Sequence, residues 1–322
     1  MYKIPQPTKL VQHIRNGLVE EEHSGFVTYV ENFDSLKIKN LGRNNEYPFY
    51  LRSCAKPLQA SLLIDYGLDK EFEMNEQEIA LCCASHAGEK IHTEVLEKLM
   101  EKFGITEDDL LCGQHAPLAQ SRQFEMNKNN EKFSQIHNNC SGKHIMMLGL
   151  CKLNNWDTKT YNQLNHPLQQ EIIKKISQLC QVKENYPITK DGCTVPIVSM
   201  PLQNMVVGFL HLFCNPKYEK IKNAFLNNPY LIGGENRTDT KIIENSKGII
   251  AKVGAGGLCI VINIKEKSGF VVKISDCNMA AREIFTIDLI NKLGWANIEI
   301  SHDIKTLDND TVGQIETFTQ IN

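Results

Sequence analysis

The chain has 322 residues, of which 42% are hydrophobic and 23% charged, and its formal net charge is -3. That balance excludes a disordered chain, which needs low hydrophobicity and high net charge, and it excludes collagen-like and disulfide-scaffold classes. No basic excess points to nucleic acid, and no acidic tail points to a charge-driven partner.

Residues 1–52 read as β-rich. Segment 25–30 is enriched in β-branched and aromatic residues, Asn32-Phe33-Asp34-Ser35 supplies a turn, and 36–39 alternates apolar with polar, a hairpin pattern. From about 53 to 247 helical periodicity takes over. Helices are expected over 76–85, over the stretch holding Val95, Leu96, Leu99, Met100 and Phe103 that Gly104 ends, from a Thr106 cap, over 144–153 and over 168–179. Strands return at 249–253, 258–264 and 270–274, with Lys267-Ser268-Gly269 as a hairpin turn, and 279–293 reads as an amphipathic helix stopped by Gly294. The expected fold is therefore α+β: an antiparallel sheet lobe from both chain ends (about 1–52 and 248–322) with an inserted helical lobe (about 53–247), forming one domain over 1–322.

The longest apolar stretches, 145–150 and 258–262, fall far below the roughly 18 residues a membrane-spanning helix needs. The opening residues, MYKIPQPTKLVQHIRNG, lack the apolar centre of an export signal, so the expected compartment is the cytoplasm. Eleven cysteines are scattered along the chain. Several, such as Cys82, Cys83, Cys151 and Cys259, lie in apolar runs where cysteine packs as a small hydrophobe. Without an export signal they are read as reduced thiols.

Four constellations carry chemistry. In Arg52-Ser53-Cys54-Ala55-Lys56-Pro57, one helical turn puts Ser53 and Lys56 on the same face. A serine hydroxyl needs an adjacent base, and lysine serves only if burial or another cation drives its ammonium neutral. A solvated helix face is the bland alternative. Lys252 stands in Lys252-Val253-Gly254-Ala255-Gly256-Gly257 between two strands, like the Lys-(Thr/Ser)-Gly strand of serine β-lactamases. A dinucleotide fingerprint is rejected there, because the next run, 258–262, reads as a strand and not a helix. Ala84-Ser85-His86-Ala87-Gly88-Glu89 leaves a serine and a histidine at a helix end, where they could equally be plain cap residues. Finally, Cys140 and Cys193, with Asp191, Lys143 or His144, have the inventory of a zinc site without the doubled spacing that marks one; buried thiols are the alternative.

The order of these motifs resembles the L-asparaginase II family, the thermolabile rhizobial type. The resemblance runs from Arg52-Ser53 to Lys273-Ile274-Ser275-Asp276 and takes in His137-Asn138-Asn139-Cys140-Ser141-Gly142-Lys143-His144, Asp191-Gly192-Cys193 and Arg237-Thr238-Asp239-Thr240. It implies a fold similar to serine β-lactamases and glutaminases, and two Ser–Lys pairs, Ser53 with Lys56 and Ser85 with Lys252. It also implies a zinc ion held by Cys140, Lys143 and Cys193 with Asp191 close by, a homodimer, and hydrolysis of L-asparagine to L-aspartate and ammonia. Arg52, His86 and Asp191 are the expected substrate-binding residues, Arg52 being either a carboxylate anchor or a structural ion-pair partner. The chain departs from the family pattern at Gly256, where Glu is usual, at Ala87, where Ser is usual, and at Thr194, where Gly is common. Alternatives are an enzyme of the same fold acting on glutamine or another small amide, and a non-catalytic zinc-binding or redox-sensing protein built on Cys140 and Cys193. A β-lactamase or transpeptidase is disfavoured by the missing export signal.

Overall fold

The computed structural model describes residues 2–42 and 46–321. The β-rich start forms β1 (Thr8–Arg15), β2 (Leu18–Asn32), β3 (Lys37–Leu41) and the short β4 (Phe49–Tyr50). The middle contributes α1 (Ala55–Asp65), α2 (Leu68–Glu71), α3 (Glu76–Cys83), α4 (Lys90–Phe103), α5 (Gln120–Lys128), α6 (Ser141–Leu153) and α7 (Pro167–Leu179). It continues through β5 (Ile188–Lys190), β6 (Pro196–Met200), α8 (Leu202–Phe213), α9 (Glu219–Asn227), α10 (Pro229–Ile232) and α11 (Thr238–Glu244). The end supplies β7 (Ile249–Gly254), β8 (Leu258–Asn263), β9 (Ser268–Ile274), α12 (Met279–Lys292), β10 (Asp303–Lys305) and β11 (Thr311–Thr317).

The strands of both chain ends join in one antiparallel sheet ordered β10-β11-β1-β2-β9-β8-β7, with β3 also on β2. β2 holds it together. Its first half pairs with β1, and past Gly25 it pairs with β9 on one edge and β3 on the other. Every residue of β7 and β8 is buried. Their unbroken apolar runs fit strands covered on both faces. The fold is thus α+β, as expected, with a small β4-β6-β5 sheet, two of its strands inside the helical stretch, that periodicity does not reveal.

Local chemistry explains the helix ends. Asn75 and Glu78 form a capping box at the start of α3, and Asn278 caps α12 by accepting from the Ala281 N–H. Gly104 closes α4 in the left-handed conformation that L-residues avoid. The Thr106 cap does form, but it opens only a short 3-10 turn, Glu107–Asp109. Among the described residues no helix is long and apolar enough to cross a membrane.

Candidate active site

A 3-10 turn, Arg52–Cys54, runs directly into α1, so Ser53 and Lys56 lie one turn apart on helical backbone. Lys56 is 1% exposed. Its Nζ donates to the carbonyls of Ala84 (2.7 Å) and Asn139 (2.8 Å) and to Ser85 Oγ (2.9 Å). These acceptors use all three ammonium hydrogens. Burial, reinforced by the nearby cations Lys143 and Lys252, pushes Lys56 down from 10.5 to about 8. Ser53 is only partly buried, and its hydroxyl makes no hydrogen bond with another described residue.

The serine–lysine pairing differs from the expected one. Lys252 does not bond to Ser85. It is fully buried on β7 and donates to Asp239 Oδ2 at 3.0 Å and to the Val253 carbonyl at 3.2 Å. Asp239 is equally buried; burial raises its pKa, but Lys252 and Arg237 outweigh that and hold the carboxyl below its ordinary range. Physically, a cation taken out of water needs a fixed anion, and a hydroxyl cannot supply that charge. Asp239 is the partner that spacing alone did not single out. It stood within a matched motif, but nothing in the pattern tied it to a strand still ahead in the chain.

The second serine motif sits where α3 ends and the backbone turns extended at Ala84; the Ser85 N–H then donates to the Ile232 carbonyl at 3.0 Å. His86 is fully buried. Its Nδ1 accepts from the Gly88 N–H (3.1 Å), so Nε2 carries the proton and faces Ser141 Oγ at 2.9 Å. Burial drives its pKa well below the usual range, with His92 and Lys56 acting the same way, and the ring is neutral. Both ring nitrogens are engaged, so in this arrangement His86 braces the loop at 84–88 against α6 and offers no free polar atom to a substrate.

The third motif contributes a thiol pair. Asn138 donates to the carbonyls of Cys112 (2.9 Å) and Gly113 (3.1 Å) and accepts from the Cys140 N–H (2.9 Å), which fixes the turn into α6. Lys143, in the first turn of α6, donates to Cys193 Sγ at 3.0 Å. A hydrogen bond from Cys140, together with the Lys143 ammonium, lowers Cys193 to about 5 despite burial. The same shared bond, then burial, raises Cys140 to about 12. Lys143 is held above its ordinary value, since Cys193, Cys140 and Asp191 outweigh its burial. Cys140, Cys193 and Lys143 are the groups here that could hold a metal, the lysine only as its neutral amine.

Arg52 closes the site. Its Nε donates to Asp191 Oδ1 at 2.7 Å, and the Gly192 N–H reaches the same oxygen at 2.9 Å. Burial works against the Asp191 charge, but Lys143 and Arg52 keep its carboxyl low. Arg52 and Thr194 both adopt positive φ, 48° and 78°. Non-glycine residues there carry strain of about 1–3 kcal/mol each, held by the surroundings. Thr194 explains the departure noted in the sequence: glycine would suit that backbone, and the threonine is kept by donating to the Leu111 carbonyl (2.8 Å) and accepting from Asn162 (2.9 Å).

The α+β frame thus carries a partly buried serine, a buried lysine of depressed pKa and a second serine bonded to that lysine. The chain belongs to the L-asparaginase II family, whose model matches residues 11–317. No curated protein matches it. Two solved structures are similar in arrangement. One is a beta-lactamase from Mycobacterium bovis, 13% identical, covering 89% of this chain and 96% of its own with a TM-score of 0.40. The other is a provisional beta-lactamase from Bacteroides dorei, 12% identical, covering 84% and 85% with a TM-score of 0.38. Membership of an asparaginase family makes this an amidohydrolase that takes a small-molecule substrate.

Proposed function

We propose that the protein hydrolyses the side-chain amide of L-asparagine to L-aspartate and ammonia through a serine acyl-enzyme. The observation that carries this reading is Lys56, buried, depressed to about 8, hydrogen-bonded to Ser85 and one helical turn from Ser53. Ser53 is the nucleophile in this scheme, because it is the serine a substrate can reach; Ser85 is 1% exposed. Ser53 Oγ attacks the amide carbon and its proton passes to neutral Lys56. The tetrahedral intermediate collapses as the amide nitrogen receives a proton through Lys56 and Ser85, and ammonia leaves. Water then attacks the β-aspartyl ester, Lys56 takes its proton, and Ser53 is restored as aspartate departs. Lys252, ion-paired with Asp239, acts here as a fixed cation that keeps Lys56 neutral rather than as a second base. Arg52, with one edge of its guanidinium tied to Asp191, is the group we assign to the substrate α-carboxylate.

Zinc is part of the proposal. The pair of buried sulfurs and the lysine amine suit a thiophilic divalent ion, with Cys140, Lys143 and Cys193 as ligands and Asp191 beside them. When bound, the ion supplies positive charge next to the substrate. It tunes binding more than the chemical step, since the serine already provides the nucleophile. A homodimer, expected from the resemblance, is read by light scattering on the purified chain.

The test is ammonia release from asparagine and glutamine by wild type, Ser53→Ala and Lys56→Met. We expect asparagine to be preferred and both variants to lose at least a hundredfold in kcat, consistent with removal of an acid–base group. Near-wild-type turnover by Ser53→Ala sinks the scheme. If glutamine is the better substrate, the same residues serve a glutaminase. If neither amide is hydrolysed while thiol modification alters metal binding, the Cys140–Cys193 pair is the functional element, a reading supported by the thiolate character of Cys193.

A further inference from the structure

Away from the serine–lysine site, β1 and β2 carry His13, Glu21 and His23. His13 and Glu21 are direct cross-strand partners, and His23 follows Glu21 by two residues, so all three side chains share one face of the sheet. One ligand atom from each lies within 4.8 Å of the other two. His13 Nδ1 is 3.7 Å and His23 Nε2 is 3.3 Å from Glu21 Oε2.

His23 is the informative residue. It is 5% exposed, and its Nε2 is buried with no hydrogen-bond partner. Its Nδ1 meets Asp276 Oδ2 at 2.6 Å. An ionised carboxylate only accepts, so Nδ1 carries a proton, and Nε2 is the ring atom left to take a ligand. Nε2 stands 3.3 Å from a Glu21 carboxylate oxygen and makes no hydrogen bond to it. A cation placed between these two atoms would engage both. Ligands of a tetrahedral ion bound at about 2.0–2.1 Å are roughly 3.3 Å apart, close to the spacing seen. The Asp276–His23 bond is the carboxylate–histidine arrangement that orients metal-binding imidazoles.

We propose that His13, Glu21 and His23 form a binding site for a divalent transition-metal ion, with Asp276 positioning His23. Two imidazoles and a carboxylate favour zinc or cobalt over calcium or magnesium, which prefer all-oxygen shells. Three protein ligands leave a position for water or a small anion, and His13 also lines a cavity of about 350 Å³ that includes Arg237 and Arg282. The ion fastens β1 to β2 beside the register shift that follows His13. The site is independent of the proposed reaction and of any zinc at Cys140 and Cys193.

The experiment uses the metal-stripped Cys140→Ser/Cys193→Ser protein, titrated with cobalt(II). We expect one ion per chain, a visible cobalt spectrum and no thiolate charge-transfer band. His13→Ala and Glu21→Ala, both on the accessible side of the site, should each weaken binding at least tenfold. Asp276→Asn should weaken it tenfold to a hundredfold. Zinc should raise the unfolding midpoint of the Cys140→Ser/Cys193→Ser protein and leave that of its His13→Ala derivative unmoved. If the doubly substituted protein does not fold, the series is run on wild type, where His13→Ala must remove the cobalt ion that lacks a thiolate band. No ion at this site, or unchanged affinity in His13→Ala and Glu21→Ala, overturns the proposal. Unchanged affinity in Asp276→Asn overturns the positioning role.

Discussion

At the scale of single residues, two buried lysines in one site are treated differently by their surroundings. Lys252 has Asp239 as a counter-ion, whereas Lys56 has only neutral acceptors: two carbonyls and a hydroxyl. This asymmetry sets the direction of the pH profile. Lys56 is a competent base only when neutral, so kcat/KM should rise with pH through about 8 and level off above it. A flat profile across that range, or an acidic optimum, removes lysine as the base. The linkage to stability has a definite sign. Between about 8 and 10.5 the unfolded chain binds a proton at Lys56 that the folded chain does not, so this residue makes stability increase with pH in that window. Lys252→Met tests the other lysine. It strands a buried carboxylate, at a cost of about 3–5 kcal/mol. Adding Asp239→Asn to it should restore much of that loss. Whatever activity Lys252→Met retains should show its alkaline limb at higher pH, because one cation has left the neighbourhood of Lys56. Chemical denaturation and a pH-rate series on the single and double variants check both outcomes, and a double variant no more stable than the single would break the ion-pair account.

At the scale of elements, two close fits hold the site. The start of α6, which carries Lys143, presses against the end of α3, which leads to Ser85. A Cβ built on Gly142 would stand 2.2 Å from the Leu81 carbonyl oxygen. Backbone cannot yield as a side-chain tip can, so Gly142→Ala should cost about 1–3 kcal/mol or more and lower kcat by displacing the Lys56 acceptors. An Ala variant with wild-type stability and rate would contradict this packing. In the loop after Asp191, Thr194→Val keeps the strained backbone but deprives the Leu111 carbonyl and the Asn162 amide of their partner. About 1–3 kcal/mol should be lost, measurable by thermal unfolding. The same two elements show what a sequence reveals. The strands at 249–253, 258–264 and 270–274 were legible because buried β-branched runs are continuous, and α3, α6, α7 and α12 because their helical periodicity is sustained. The small β4-β6-β5 sheet was not, since β4 has two residues and β5 three, too few for a period to register. Ser53, Lys56, Ser85, Lys252 and the Cys140–Lys143–Cys193 group were singled out by motif order. Their bonding was not, because whether Lys252 meets a serine or Asp239 depends on how α11 packs on β7, and that is tertiary information.

At the scale of the whole molecule, the sheet separates two tasks. Lys252 lies on β7 at one edge, while β10 and β11 close the other, and β1, β2, β9 and β8 stand between them. β11 covers β1 through five residue pairs, and the Phe318 N–H donates to the Leu10 carbonyl at 2.9 Å. Thr317 also reaches Asp288 on α12 at 2.6 Å. Ending the chain after Ala296 would remove both outer strands, expose the edge of β1 and undock one side of α12. An unpaired edge is a template for association, so the shortened protein should unfold at a lower temperature and self-associate. Its serine–lysine site rests on α1, α3 and β7, and β7 is separated from β11 by β1, β2, β9 and β8 in the sheet. The folded, monodisperse fraction should therefore release ammonia from asparagine at a kcat within a few-fold of the full chain. Size-exclusion chromatography followed at once by kinetic assay of the separated fractions makes the comparison. A correctly sized, folded fraction that has lost activity would mean that the sheet transmits the state of its far edge to Lys252, and the two ends could no longer be treated as independent.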